Sequence, residues 1–220
     1  MKKLKGKFIT LEGVDGSGKS TQTKILVKKL KQEGYKVKII KFPQYNKKSA
    51  GLVEEYLSGK YGQANEVSPY TASMFYALDR FDASFKINNW LKKGQIVIAD
   101  RYILSNLAHQ GSKIQNLKKQ KKYFIWLNNL EYKLLNIPKP NLTFFLHLNA
   151  KIRQNLINKR HTKKDIHEKN LKYLKQTEKT YLQLTKIYPN IKLIKCAKNN
   201  KILSKQEIHE NIWNKIKNRI

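Results

Sequence analysis

Residues 7–21 of this chain read KFITLEGVDGSGKST, and this stretch decides the fold. From Gly13 to Ser20 it fits the pattern G-x-x-x-x-G-K-[ST], directly after an apolar strand and directly before a helical segment. The glycines let the backbone curl so that successive N–H groups point at phosphate oxygens, and the helix adds the positive end of its dipole. A glycine-rich turn that matches by chance is the alternative, but the strand and the helix are both in register. We therefore predict that the nucleotide-binding residues are Gly13, Val14, Asp15, Gly16, Ser17, Gly18, Lys19, Ser20 and Thr21.

Side chains at the start of this helix and at the end of a later strand have predicted roles at the phosphates. Lys19 should bridge the β- and γ-phosphates, Ser20 should ligate Mg²⁺, and Thr21 is placed to reach the α-phosphate. The apolar run 96–99 ends in Asp100, which a parallel sheet would place beside the phosphate loop. We expect Asp100 to hold Mg²⁺ through water, with a strand-capping aspartate as the alternative.

Short apolar or β-branched runs alternate with helical stretches along the chain. This alternation implies a mostly parallel sheet with helices on both faces, and no repeat or low-complexity linker interrupts it. We predict a single three-layer α/β P-loop domain over residues 1–220. Its five strands are expected at Lys7–Leu11, Val37–Phe42, Ile96–Ala99, Leu142–Leu148 and Ile191–Ile194. Helices are expected from within Gly18–Thr21 to near Gly34, between Pro69 and Gly94, around Tyr123–Leu135, over about Glu168–Ile187, and through Ile208, Ile212 and Ile216.

The longest helical candidate lies between Pro69 and Gly94. At 100° per residue, one face carries four apolar residues, whereas Tyr76 and Arg80 share the opposite face. We predict that the apolar face packs on the core and that Arg80 points away from it. The four apolar residues are Met74, Leu78, Phe81 and Phe85.

Arginines are the side chains to expect where two phosphate groups must be held in line. A kinase that acts on a monophosphate needs such cations and few nucleophiles. Arg80, Arg101 at the end of the third strand, and Arg160 in a polar stretch have suitable positions. That stretch is a candidate lid, about residues 153–166, which would close over the phosphates and exclude water. From spacing alone, a solvated surface residue explains Arg160 equally well.

The charge of the chain is strongly positive, with 46 Lys and Arg against 15 Asp and Glu and a formal net charge of +31. This balance excludes an acidic disordered chain and, at face value, points to a polyanionic partner. However, five of these residues are Arg and the rest are Lys, and Lys, Asn and Ile share A- and T-rich codons. The lysines are dispersed and form no basic stripe interleaved with aromatic residues. We therefore expect no specific nucleic-acid partner.

The single cysteine, Cys196, excludes an internal disulfide framework and is poor material for a zinc site. The basic start Met1–Lys7 is followed by the apolar run Phe8–Leu11, which Glu12 interrupts too early for a secretory segment. The longest strongly apolar stretch, Leu142–Leu148, is far shorter than a membrane span. We predict a cytoplasmic protein with no membrane partner.

Several motifs occur together in an order that is typical of one family. They are Phe8-Ile9-Thr10-Leu11-Glu12-Gly13-Val14-Asp15-Gly16-Ser17-Gly18-Lys19-Ser20-Thr21, then Phe42-Pro43, Tyr76-Ala77-Leu78-Asp79-Arg80, and Asp100-Arg101-Tyr102 with Ser105-Asn106. With them the chain resembles the thymidylate kinase family, densely over residues 7–111 and more thinly over 141–197. The resemblance implies a nucleoside-monophosphate-kinase fold, usually a homodimer. It also implies transfer of the γ-phosphoryl group of ATP, with Mg²⁺, to deoxythymidine monophosphate (dTMP).

Carried over residue by residue, the resemblance implies an acceptor site. Asp15 would contact the sugar 3′-hydroxyl and phosphate region, and Arg101 would bind the acceptor phosphate. Tyr76 would stack on the thymine ring, unless it is only a buried aromatic residue, and Arg80 would contact a base carbonyl oxygen. Phe42, Asn106, His109 and Gln110 complete the predicted substrate-binding set, although Asn106 and Gln110 could equally be helix-start and loop residues. The predicted catalytic residues are Lys19, Asp15, Arg101 and Arg160.

Three departures from the family pattern affect these expectations. Gln44 stands where many members carry an Arg shortly after the Phe-Pro pair, so the acceptor phosphate would lack one bidentate partner. The phosphate loop lacks the Arg of one branch of the family, so a lid cation should serve instead, Arg160 first and Arg153 or Lys163 behind it. His109 replaces a common Tyr. We interpret it as a pocket-lining residue rather than as a general base, because the acceptor phosphate is already ionised.

Two other functions stay open at this stage. A deoxynucleoside kinase would need a general base near the second strand, which ends in Lys41-Phe42-Pro43 without a carboxylate. A nucleic-acid-binding P-loop ATPase is motivated by the net charge alone.

Overall fold

A computed structural model describes residues 6–149, 152, 171–199 and 201–220. Its central sheet has five parallel strands in the order β2-β3-β1-β4-β5. The strands are β1 (Lys7–Glu12), β2 (Val37–Lys41), β3 (Ile96–Asp100), β4 (Leu142–His147) and β5 (Ile191–Lys195). The helices are α1 (Lys19–Gln32), α2 (Gly51–Ser58), α3 (Pro69–Lys92), α4 (Ile103–Gly111), α5 (Leu117–Asn128), α6 (Leu171–Ile187) and α7 (Lys205–Ile216). A 3₁₀ turn (Lys48–Ala50) precedes α2, a π-helical segment (Asn129–Leu134) continues α5, and β6 (Ala197–Lys198) pairs with β7 (Lys201–Ile202) in a separate antiparallel ribbon.

Alternate residues of each strand belong to two different cores, one on each face of the sheet. In β1, Phe8 packs into one core, whereas Ile9 and Leu11 pack into the other. Helices α3, α4, α5 and α6 cover the first face, and α1 and α7 cover the second. The predicted three-layer α/β fold with a parallel sheet is therefore confirmed.

The predicted boundaries of the first helix are also confirmed, and glycine explains both ends. Gly18 precedes α1 with φ +85°, and Gly34 follows it with the same φ. At the second end, the Gly34 N–H donates to Lys31 O and the Tyr35 N–H donates to Leu30 O. These two bonds satisfy the last carbonyls of the helix.

Other boundaries differ from the predictions. The helix expected around Tyr123–Leu135 begins earlier, at Leu117, because the Asn116 side chain accepts a hydrogen bond from Lys119 N and caps it. It then changes to π-helical geometry at Asn129. The start expected for α6, residues 168–170, lies outside the described residues.

The register of the sheet brings the phosphate loop and the end of β3 together. Leu11 pairs with Asp100, so the residues that follow β1 and β3 leave the sheet side by side. Among the helices of the described ranges, we find none with the length and apolar character that a membrane crossing requires.

Candidate active site

The phosphate loop connects β1 to α1 through a backbone that only glycine adopts easily. Gly16 and Gly18 have φ values of +83° and +85°. A Cβ on Gly13 would lie 2.7 Å from both Leu146 O and Ser17 Oγ. The loop is closed by a hydrogen bond from Ser17 N to Val14 O at 3.2 Å. The motif therefore has the strand, turn and helix that the sequence predicted.

Lys19 is nearly buried inside this loop. Its Nζ donates to Val14 O at 3.1 Å and lies 3.7 Å from Asp15 Oδ1. Burial, together with the nearby Arg101 guanidinium, lowers the pKa of the Lys19 ammonium to about 8. A phosphate bound in the loop would stabilise the charged form of this ammonium. Ser20 and Thr21 follow at the start of α1, exposed and half-buried respectively.

Arg101 links the end of β3 to the phosphate loop. Its Nη1 donates to Gly13 O and to Ser105 Oγ, both at 3.0 Å, and its Nη2 donates to Asp15 Oδ1 at 2.5 Å. Burial alone would raise the pKa of Asp15, but Arg101 and Lys19 hold it well below its usual range. The structure thus brings together three of the four predicted catalytic residues.

The backbone of Arg101 is in the left-handed region, with φ +68°, which is unfavourable for any residue except glycine. Two hydrogen bonds hold it there, from Arg101 N to Leu11 O and from Tyr102 N to Glu12 Oε1. Glu12 also accepts from Ser105 Oγ at 2.5 Å. This carboxyl is completely buried, and burial raises its pKa. Sequence reasoning missed its role, although a Glu that ends an apolar strand was a usable signal.

Asp100, at the last position of β3, is 8% exposed. Its Oδ1 is buried and has no hydrogen-bond partner among the described residues. A buried carboxylate oxygen without a partner and an exposed Ser20 hydroxyl are the hard oxygen donors that Mg²⁺ prefers, either directly or through water. The residues at this edge therefore fit the predicted cation.

Helix α3 has the opposite orientation to the one predicted from its apolar pattern. Arg80 is 2% exposed and faces the interior, with small residues on the same side of the helix. The prediction was wrong because α3 is apolar on more than one face, and the face with small residues is the one that approaches its neighbours closely. The four apolar residues that were expected to pack on the core face solvent instead: Met74 is 42% exposed, Leu78 49%, Phe81 36% and Phe85 67%.

Arg80 forms a buried ion pair that the sequence analysis did not predict. Its Nε donates to Glu131 Oε2 at 2.6 Å, and its Nη2 donates to Glu131 Oε1 at 2.5 Å. Tyr76, one turn earlier on α3, is half-buried, and its ring is perpendicular to that of Tyr56 at 6.3 Å. Tyr76 and Arg80 therefore share one side of α3, as the pattern predicted, but this side faces the interior rather than away from it.

Helix α4 contributes the three remaining polar residues of the predicted base site. Asn106 and Gln110 lie one turn apart and are buried. Asn106 Oδ1 and both polar atoms of the Gln110 amide have no hydrogen-bond partner among the described residues. His109 is half-buried, with Nδ1 3.3 Å from the Tyr173 hydroxyl, which also donates to His109 O. Buried amides without partners are uncommon, so this segment has hydrogen-bonding capacity left for a ligand.

The similarity of this chain to known proteins agrees with this geometry. The sequence profile of the family described as "Thymidylate kinase" matches residues 11–211. The chain belongs to the thymidylate kinase family. Family members include a probable thymidylate kinase of Thermococcus onnurineus, 32% identical over 211 residues that cover 93% of this chain and 94% of the relative. A thymidylate kinase of Plasmodium falciparum is 34% identical and covers 70% of this chain and 67% of its own length.

A solved thymidylate kinase structure has the same fold. The enzyme from Candida albicans, whose report describes broad substrate specificity, superposes with a TM-score of 0.77 at 27% identity. The match covers 97% of this chain and 92% of the Candida chain. The chain is therefore a P-loop phosphotransferase of the thymidylate kinase family, with the nucleoside-monophosphate-kinase type of α/β fold.

The segment that begins at the Phe-Pro pair is buried against Tyr102 and helix α3. Phe42 is buried and packs on Tyr102, with ring centroids 5.5 Å apart. Gln44 is also buried, and its Nε2 donates to Asp79 Oδ1 and Asp79 O, both at 3.1 Å. Because this amide is bound to α3, Gln44 does not take the place of a phosphate-binding cation. The predicted lid, about residues 153–166, and its Arg160 lie outside the described residues.

Proposed function

We propose that this chain is an ATP-dependent thymidylate kinase that converts dTMP and ATP to dTDP and ADP. The observation that carries the proposal is the set of hydrogen bonds that joins Arg101 to the phosphate loop at Gly13 and to Asp15. This arrangement puts a second cation beside the ATP-binding loop, where a kinase can hold the phosphate of a phosphorylated acceptor.

On the ATP side, the loop N–H groups and Lys19 bind the phosphates, and Thr21 reaches the α-phosphate. The loop runs from Gly13 to Ser20 and includes Val14, Gly16, Ser17 and Gly18. We assign Mg²⁺ to Ser20 and, through water, to Asp100, because Asp100 has a buried oxygen to spare. When bound, Mg²⁺ neutralises charge on the β- and γ-phosphates.

On the acceptor side, Arg101 binds the dTMP phosphate, and Asp15 contacts the sugar 3′-hydroxyl and phosphate region. Tyr76 stacks on the base and Arg80 contacts its carbonyl oxygen. Phe42, Asn106, His109 and Gln110 line the base end. The acceptor phosphate is already ionised, so the site needs no general base, and its residues act by alignment and charge stabilisation. Arg160 is assigned as the lid cation that stabilises the transferring group.

Two alternatives are less well supported. A deoxynucleoside kinase needs a base for a neutral hydroxyl, and β2 ends at Lys41 with no carboxylate beside it in sequence. A nucleic-acid-binding ATPase is motivated by the net charge alone, and the lysines that carry this charge are dispersed along the sequence. We propose small-molecule partners, no specific nucleic acid, and a cytoplasmic location, which the buried free thiol of Cys196 also suits.

An acceptor panel tests the proposed function. With ATP and Mg²⁺ present, we expect dTMP to stimulate ADP release well above the rate without acceptor, and thymidine not to do so. The panel comprises dTMP, dUMP, dCMP, AMP and thymidine, with duplex and single-stranded DNA as further additions. If thymidine outperforms dTMP, the enzyme is a nucleoside kinase. If only DNA stimulates ADP release, the chain is a nucleic-acid-dependent ATPase instead.

We also propose a homodimer that uses the exposed apolar face of α3. Phe81 and Phe85 stack edge to face on it, with centroids 5.3 Å apart. Contiguous apolar surface of this kind on a charged protein is typical of an interface.

Leu78→Glu should convert the protein from twice its protomer mass of 25.9 kDa to the monomer mass in light scattering. Ile187→Glu, at a similarly exposed apolar residue (47% against 49%), is the matched control and should stay dimeric. A wild type that elutes as a monomer would contradict the dimer.

A further inference from the structure

Glu131 is a carboxylate with no exposed surface at the base end of the site. It lies on the π-helical segment that continues α5, and the turn is closed by hydrogen bonds from Leu135 N to Leu130 O and from Ile137 N to Glu131 O. Such π-helical turns are rare and are often found at functional sites. Here the segment brings one carboxylate into contact with residues of both α3 and α4.

The two oxygens of Glu131 hold three donors. Oε2 accepts from Arg80 Nε, and Oε1 accepts from Arg80 Nη2 and, at 3.3 Å, from Asn106 Nδ2. Asn106 Nδ2 also donates to Ser73 O at 3.2 Å. Because both of these partners are acceptors, the amide orientation of Asn106 is fixed with its nitrogen toward Glu131. Its Oδ1 is left as a buried acceptor without a partner among the described residues.

Arg80 is left with donors of its own. The hydrogen bonds to Glu131 use its Nε and Nη2, so Nη1 is a further donor of the same side chain, and a guanidinium has no acceptor atom. The region next to Glu131 therefore offers one donor group, Arg80, and one acceptor, Asn106 Oδ1. The Glu131 carboxylate also balances the Arg80 charge, so a neutral base would enter a site without an uncompensated buried cation.

We propose that Glu131 is a positioning residue that makes the site select a keto pyrimidine over an amino pyrimidine. Thymine and uracil present an N3–H donor, which can bond to Asn106 Oδ1, next to a C4 carbonyl acceptor, which can bond to Arg80. Cytosine presents an N3 acceptor next to a C4 amino donor, which oppose both. Glu131 sets this selection without contacting the base, by fixing the Asn106 amide and the Arg80 guanidinium. The inference rests on the proposed function, in which Asn106 and Arg80 face the base.

Glu131→Gln tests the inference directly. A glutamine side chain is the same size but can donate to Asn106 Oδ1, which would rotate the Asn106 amide and present its nitrogen to the base. We expect the preference for dTMP over dCMP, measured as the ratio of dissociation constants by calorimetry, to fall about 10- to 100-fold. The KM for ATP should not change. Glu55→Gln, which makes the same change in an exposed ion pair with Lys60, is the matched control and should keep the wild-type ratio.

The possible outcomes separate the two proposals. If the wild type neither binds nor phosphorylates dTMP, the proposed function fails. If the wild type prefers dTMP and folded Glu131→Gln keeps that preference, Glu131 has only a structural role and this inference fails. This inference also fails if Glu131→Gln has a lower melting temperature than the wild type and loses affinity for dTMP and for dCMP by the same factor.

A second variant covers the case in which Glu131→Gln does not fold. Glu131→Asp keeps the charge that pairs with Arg80 but withdraws the carboxylate by one methylene from Asn106. It should reduce the preference for dTMP over dCMP, again measured as the ratio of dissociation constants, but by a smaller factor than Glu131→Gln. A wild-type ratio in folded Glu131→Asp would contradict the proposed positioning role.

Discussion

Lys19→Ala is expected to lower kcat by about 10³-fold or more, because it removes the cation that stabilises the phosphoryl group during its transfer. The fold should survive the change. Burial and the nearby Arg101 lower the pKa of this ammonium from its ordinary value of 10.5 to about 8 in the folded protein, so the fold disfavours its charge. Removing it should therefore leave the melting temperature unchanged or higher at pH 7.

The pH dependence of stability gives an independent check on Lys19. A folded-state pKa below the unfolded value makes the wild type more stable as pH rises from about 8 to 10.5, since the unfolded state binds more protons in that window. Lys19→Ala should lack the part of this increase in stability that comes from Lys19. Lys24→Ala, at an exposed position of the same helix, is the control and should retain both activity and the rise. Turnover retained in Lys19→Ala with an unchanged melting curve would contradict the role assigned to Lys19.

Arg101→Lys should have the second-largest effect, a loss of about 10²- to 10³-fold in kcat/KM for dTMP. Lysine keeps the positive charge but has no planar fork, so it cannot bond to Gly13 O, Ser105 Oγ and Asp15 at once and still face a phosphate. The backbone at this position tolerates lysine as well as it tolerates arginine, because both have a Cβ at φ +68°. The substitution therefore adds no backbone strain, and any fall in melting temperature should come from the lost side-chain hydrogen bonds.

The control for Arg101 is Arg219→Lys, which makes the same chemical change at an exposed residue near the end of the chain. It should keep wild-type kinetics. Steady-state kinetics with each substrate varied in turn separates the roles of Arg101. For Arg101→Lys, kcat/KM for dTMP should fall, with the KM for ATP nearly unchanged. A defect confined to ATP binding would place Arg101 on the donor side and contradict its role at the acceptor phosphate.

The parts of the fold that depend on local backbone chemistry could be predicted from the sequence. Gly13, Gly16 and Gly18 need positive φ, and Gly34 ends α1, so the loop and its helix follow from the positions of glycine. The strands follow from apolar runs in a sheet covered on both faces. The meeting of Asp15 and Arg101 also follows, because parallel strands end at the same edge of the sheet.

The orientation of α3 could not be predicted in the same way. Burial of large apolar residues is the usual rule for a monomer, and by that rule Met74, Leu78, Phe81 and Phe85 should face the core. The structure instead buries a face that carries small residues, Arg80, and near its end Ile87 and Leu91. A periodic pattern cannot distinguish the face that packs on the core from the face that is exposed when a helix is apolar on both.

The buried carboxylates were missed for a different reason. Glu12 and Glu131 stay buried because each finds donors far away in sequence: Ser105 is 93 residues from Glu12, and Arg80 is 51 residues from Glu131. Without those partners a buried carboxylate would be too costly, so its position depends on tertiary pairing. No local pattern reports such a pairing.

The most direct test of the central claim follows the phosphoryl group itself. The protein is incubated with Mg²⁺, dTMP and ATP labelled at the γ-phosphate, and the nucleotides are separated. We predict that the label appears in dTDP in proportion to the ADP formed. Label that appears only as inorganic phosphate, or that is transferred to thymidine but not to dTMP, would contradict the assignment of this chain as a thymidylate kinase.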